Sequence, residues 1–136
     1  MCSEVCPWGQ RAPDRTEVLG THPAVEGATL ADWIRLPPDG FSDRFRGSPL
    51  QRTHREGLAR NAAIAAGHRP SEGTRAALEG ALEGDASGMV REAASWALAR
   101  AHGGEPAVRG LLERAAARES DPELQAALAR ARAACR

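Results

Sequence analysis

The chain has no lysine and no tyrosine, and its 136 residues include only three cysteines, three tryptophans and two phenylalanines. Each shortage narrows the possibilities. Scarce aromatics beside abundant Ala, Leu and Val favour helices packed through small side chains over sheets built on β-branched and aromatic residues. An odd number of cysteines gives no disulfide framework and suits a reducing cytoplasm. No apolar run approaches the ~20 residues needed to cross a bilayer. The N-terminus also lacks the basic start and apolar stretch of a secretory signal. The length fits one domain, or one and a half, with a modest core.

With lysine absent, all 18 basic residues are Arg. A GC-rich genome accounts for that, as does a preference for bidentate guanidinium contacts. The zero net charge is unevenly spread. Residues 41–70 hold two acids (Asp43, Glu56) against six arginines: Arg44, Arg46, Arg52, Arg55, Arg60 and Arg69. Such a stretch can meet an acidic partner or a nucleic-acid backbone. A solvated helical face would give the same count.

Residues 1–28 contain Pro7, Pro13, Pro23 and several glycines without a helical or strand period, and read as an irregular, loop-rich lead. A short helical connector over 29–47 follows. Its first helix carries Leu30, Trp33, Ile34 and Leu36 and ends at Pro37-Pro38. Asp39 is expected to cap a second, with Phe41 and Phe45 on one face. From Ser48-Pro49 the pattern becomes regular: a helical stretch to Gly67, with a break expected at Gly57, then helices opened by Ser71, by Asp85 or Ser87, by Pro106 and by Asp121-Pro122. LARNAAIAAG (58–67) aligns with VREAASWALA (90–99) 32 residues later, and a weaker copy begins at Leu124. Helix pairs with small residues inside, repeated over 48–136, predict an all-α, HEAT-like α-solenoid of short antiparallel helix pairs. The rival is an ordinary α-bundle.

Cys2 and Cys6 stand in the spacing C-x3-C-P. In two-cluster ferredoxin-like modules a C-x2-C-x2-C-x3-C-P run sends its last cysteine to the other cluster. On that reading Cys2 and Cys6 serve different [4Fe–4S] clusters, each wanting three more thiolates, and only Cys135 remains. The chain by itself cannot complete a four-thiolate cluster. Chance cysteines are the plain alternative.

Three motifs in order bear on that choice: Cys2, Cys6, Pro7 and Trp8; then Phe41, Phe45, Arg46, Gly47 and Arg52; then Leu58, Arg60, Asn61, Ala62, Ala63, Ala65 and Gly67. In order and spacing they resemble the C-terminal part of bacterial tRNA epoxyqueuosine reductase, where the end of a cysteine-cluster domain is followed by a HEAT-like region. Gly9 stands where that family has Asn, and Met1 falls inside the C-x2-C spacing. The resemblance implies a chain without the family's first cysteine cluster and without its cobalamin-binding domain. It implies reduction of epoxyqueuosine to queuosine at the tRNA wobble position by the intact enzyme, with electrons passing through the clusters to cobalamin. For this chain it implies tRNA contact and part of the cluster ligation rather than catalysis. The missing thiolates then lie upstream or on a separate cobalamin/iron–sulfur chain. No membrane or DNA partner is expected.

The residues expected to meet RNA are Arg44, Arg46, Arg52, His54, Arg55, Arg60 and Arg69, whose guanidinium groups fork onto phosphate oxygens. Intramolecular ion pairs are the alternative. Arg91 is read as a structural arginine pairing with an acid of a neighbouring unit, and Trp33 and Trp96 as core residues. The function reading from another class is a non-catalytic HEAT-repeat interaction scaffold with vestigial cysteines.

Overall fold

The computed structural model describes residues 23–135, together with Pro7. Cys2, Cys6 and Trp8 lie outside the described residues, as does nearly all of the lead over 1–28. Seven α-helices and no strand are found among the described residues.

Helix α1 (Leu30–Arg35) opens on a capping box in which the Thr29 hydroxyl accepts from the Asp32 N–H and the Asp32 carboxylate accepts from the Thr29 N–H. The proline pair stops it, but Pro38 also starts α2 (Pro38–Arg44), because its fixed φ is already helical. Asp39 therefore lies inside the first turn and caps nothing, which corrects the sequence expectation. Phe41 and Phe45 are buried, and Phe45 packs between Phe41 and Trp33 at ring separations of 5.0 and 5.6 Å.

Ser48-Pro49 opens a 3-10 turn (Pro49–Thr53), not the long helix itself. The chain changes direction at His54, which has a φ of 54°, the one positive value outside glycine among the described residues. Helix α3 (His54–His68) then runs unbroken through Gly57. The expected break exists, three residues earlier than the glycine suggested. Helices α4 (Glu72–Gly84), α5 (Gly88–His102), α6 (Pro106–Arg118) and α7 (Pro122–Ala133) complete the chain. Ser71 builds a second capping box, and the Asp121 carboxylate accepts from the N–H groups of Glu123 and Leu124.

Three-residue turns join each helix from α3 to α7 to the next, and the closer packing across a turn is between α4 and α5 and between α6 and α7. The pairs stack into two layers: α3 packs on α5 and α5 on α7, while α1 packs on α4 and α4 touches α6. The repeat is clearest where the sequence alignment did not look. α4 and α6 start 34 residues apart, and buried Thr74, Ala77, Leu78 and Ala81 map onto buried Val108, Leu111, Leu112 and Ala115. At the same offset Val90, Ala93, Ala94 and Ala97 of α5 map onto Leu124, Ala127, Leu128 and Ala131 of α7. Between α3 and α5 the helix starts are also 34 apart, so the 32-residue match of 58–67 with 90–99 follows side-chain character rather than element boundaries.

Alanines fill the seam between α3 and α5: Ala59, Ala62, Ala63, Ala66, Ala94 and Ala97 are buried. The approach is close enough that a Cβ on Gly67 would sit 3.0 Å from the Ala97 Cα and 2.9 Å from the Trp96 ring. Leu78, Leu98, Leu112 and Leu128 fill the space between the layers, each contributing about 1.5–3 kcal/mol by burial.

Candidate nucleic-acid interface

Two of the basic residues singled out by sequence are tied to the protein itself. Arg55 is 14% exposed and pairs with Asp85, which is 5% exposed, in the α4–α5 turn; its guanidinium also donates to the Leu36 and Ile34 carbonyls. Arg55 thereby ties α1 and α3 to the next helix pair, the inward engagement that the alternative of intramolecular ion pairs anticipates. Arg44 donates to the Ala24 carbonyl at 2.6 Å and lies over the Trp33 ring at 4.7 Å, although its side chain reaches solvent.

The other five positions are exposed. Arg46 forms a solvent-washed pair with Asp43 on the next turn back, both side chains at least three-quarters exposed, which is worth little. Arg52, in the 3-10 turn, and His54, at the N-terminal end of α3, are both exposed. Arg60, two turns along, donates to the Asn61 side-chain oxygen at 3.2 Å and has no ion pair among the described residues. Arg69 follows the C-terminal end of the helix. These residues are spread from the segment before the 3-10 turn to the C-terminal end of α3, over a helix about 20 Å long, and do not form one cluster. Such spacing suits an extended polyanion better than a small anion.

Arg91 behaves as the sequence reading expected. It donates through two nitrogens to the Glu119 carboxylate, at 2.8 and 3.0 Å, and through a third to the Asp85 carbonyl. Hydrogen bonds from Arg91, then from the backbone N–H of Asp121, hold the Glu119 carboxyl below its usual range. Asp85 and Glu119 occupy the same place, 34 residues apart, at the ends of α4 and α6. Each turn acid thus takes an arginine from the preceding helix pair.

Trp33 is half-buried against the core, as expected, but Trp96 is not a core residue. It is 39% exposed and, with Met89 at 49%, makes up the exposed large hydrophobics among the described residues. Ile64, its partner in the repeat alignment, lies on the same outer face, which the run of alanines on either side could have indicated. Arg60, Ile64, Met89, Glu92, Ala93 and Trp96 line a groove between α3 and α5.

Among the described residues no group of three or more His, Cys, Asp or Glu side chains is arranged to hold a metal. The described cysteine, Cys135, donates to the Ala131 carbonyl and packs by Gly103. The described part therefore does not by itself fit an iron–sulfur cluster. No helix among the described residues is long and apolar enough to cross a membrane.

No family model matches the chain. Among curated proteins, an epoxyqueuosine reductase of Xanthomonas campestris pv. campestris is 36% identical over 104 residues, covering 75% of this chain and 29% of that protein. The epoxyqueuosine reductase of Pseudomonas aeruginosa is 37% identical over 105 residues, covering 75% and 28%. Among solved structures, epoxyqueuosine reductase from Bacillus subtilis matches with a TM-score of 0.80 at 20% identity, over 99% of this chain and 36% of that one. An epoxyqueuosine reductase bound to a tRNA-Tyr epoxyqueuosine-modified stem loop matches with a TM-score of 0.76 at 21% identity, over 98% and 36%. The solved structures establish the shared all-α fold of this region, and the chain spans about 29% of the length of the curated relatives. Over the stretch it shares with them, the chain is similar to part of epoxyqueuosine reductase.

Proposed function

We propose that this chain supplies tRNA contact within the epoxyqueuosine reductase reaction, in which epoxyqueuosine at the wobble position of tRNA is reduced to queuosine. The observation that carries it is the set of exposed cations before and along α3, Arg46, Arg52, His54, Arg60 and Arg69, in a chain similar to proteins named epoxyqueuosine reductase. A related structure holds a tRNA stem loop. Guanidinium groups spaced along a helix meet successive phosphates, and folded RNA is recognised through shape and backbone more than through base edges. Cys2 and Cys6 would each contribute one thiolate to [4Fe–4S] clusters whose remaining ligands come from elsewhere. Cobalamin and the reducing chemistry would belong to the rest of the family enzyme, so catalysis is not assigned to these residues.

The test is binding of a tRNA anticodon stem loop to the chain, followed by fluorescence anisotropy across a salt series. Affinity should fall steeply with salt, and Arg46→Ala and Arg52→Ala should each lower it and flatten the salt slope by about one. Salt-independent binding, or none, would favour the second reading, a protein-interaction scaffold. That reading draws support from the inward engagement of Arg55 and the tethering of Arg44.

A further inference from the structure

The outer face of α3, α5 and α7 carries a feature that shares only Arg60 with the exposed cations proposed above to contact tRNA. Trp96 stands at its centre, shared by two neighbouring grooves. The first, between α3 and α5, is lined by Arg60, Ile64 and Met89; the second, between α5 and α7, by Ala99, Arg100 and Arg130; Glu92 borders both. The indole is fixed from behind, where its edge meets Gly67. The His68 ring lies beside it at a centroid distance of 5.5 Å, and the Arg100 guanidinium lies over its face at 5.6 Å, where a stacking base would take its place. Arg60, Arg100 and Arg130 make no ion pair with any described carboxylate, in contrast to Arg75, Arg91 and Arg132.

We infer that Trp96 is a stacking platform for an unpaired base of bound RNA, with Arg60 and Arg130 on either side receiving the flanking phosphates. This rests on the reading of the chain as an RNA-contacting module and assigns a second contact to it. The physical case is the combination of a part-exposed indole with guanidinium groups that lack carboxylate partners on α3, α5 and α7. Single-stranded nucleic acids are held in that way, by an aromatic face under the base and cations along the backbone. Tryptophan, methionine and arginine are enriched at protein interfaces as well, so an amphipathic peptide is the competing occupant in the test. Glu92 adds an acceptor at the groove border, suited to the amino edge of a cytosine or adenine and unfavourable to a phosphate. The phosphates are thereby directed outward to the arginines.

The experiment uses the full chain carrying Trp8→Phe and Trp33→Phe, so that Trp96 is the one remaining indole, titrated with a tRNA anticodon stem loop. Indole fluorescence should be quenched saturably. In the otherwise unaltered chain Trp96→Ala should weaken binding about tenfold, the loss of one stacked base. Because Trp96 also packs on Gly67, two further variants separate stacking from folding. Trp96→Phe, with an unchanged melting temperature, should retain part of the affinity, and Arg130→Ala should weaken binding about threefold by removing a phosphate contact alone. RNA binding that leaves the indole signal and all three affinities unchanged would overturn the stacking site while leaving the RNA reading intact. Failure of the unaltered chain to bind RNA would remove both. Quenching by an amphipathic peptide but not by RNA would assign the groove to a protein partner and overturn the inference.

Discussion

At the seams between helix pairs arginine is turned inward, whereas on the outer face of α3, α5 and α7 it meets solvent. Arg55 and Arg91 reach across to Asp85 and Glu119, the acids that end α4 and α6, and their guanidinium groups are largely covered. Arg60, Arg100 and Arg130 come from the same three helices and make no such pair. The difference is one of position. Close to the start of α3 and α5, an arginine lies beside the turn of the following pair, whose acid and free carbonyls sit within reach. Further along, the alanine seam holds the helices close together, and a long side chain can only go outward. A single residue type thus serves as a bolt at one place and as a contact at another.

Breaking the inner set should have the largest effect. Asp85→Ala leaves the Arg55 charge buried without its partner and is expected to cost about 3 kcal/mol, read as a fall in the urea midpoint. If stability is unchanged, Arg55 is not a bolt and stands with the other candidate RNA contacts. Gly67→Ala probes the seam that forces the other arginines outward. The added methyl has no room against Ala97 and should cost about 1–3 kcal/mol in thermal unfolding, with the helices pushed apart.

The second seam has a signature in pH. The Glu119 carboxyl is held below its usual value, so the folded state favours the charged form; its stabilisation is fully present above the ordinary glutamate range and is lost as pH falls through the folded value. Glu119→Gln should therefore flatten the acid limb of the stability curve below about pH 4.5, the reference value for that carboxyl. An identical acid limb in the variant would mean that Arg91 gains nothing from the charge. The smallest effect on stability belongs to the outer set. Arg60→Ala should change the melting free energy by no more than about 0.5 kcal/mol while weakening tRNA stem-loop binding. A large loss of stability would place Arg60 with the bolts.

Much of this was legible in the chain itself. Alanine-rich segments of helical length, Ser71 and Asp121 at their caps and prolines at first-turn positions announced the helices, because these signals act within a few residues. The exchange at Asp39 and the misplaced break at Gly57 are local as well. There two starting signals compete, and a proline or a backbone reversal outranks a carboxylate or a glycine. The role of Arg91 was also readable, since it belongs to the repeat. The exposure of Trp96 and the inward turn of Arg55 were not legible for a common reason: whether a large or charged side chain is covered depends on which neighbour lies beside it, and that neighbour belongs to another part of the fold.

The sequence by itself determined that the chain is all-α, that its helices come in repeated pairs, and that it resembles part of epoxyqueuosine reductase. Helix propensity, capping and periodicity are short-range, and they survive in the order of residues. Only the tertiary structure decided which arginines bind the pairs together, which ones face solvent and where the exposed indole stands. Those outcomes depend on contacts such as Arg55 with Asp85, thirty residues apart, and Gly67 with Trp96, where the packing of one helix on the next sets both the distance and the direction of each side chain.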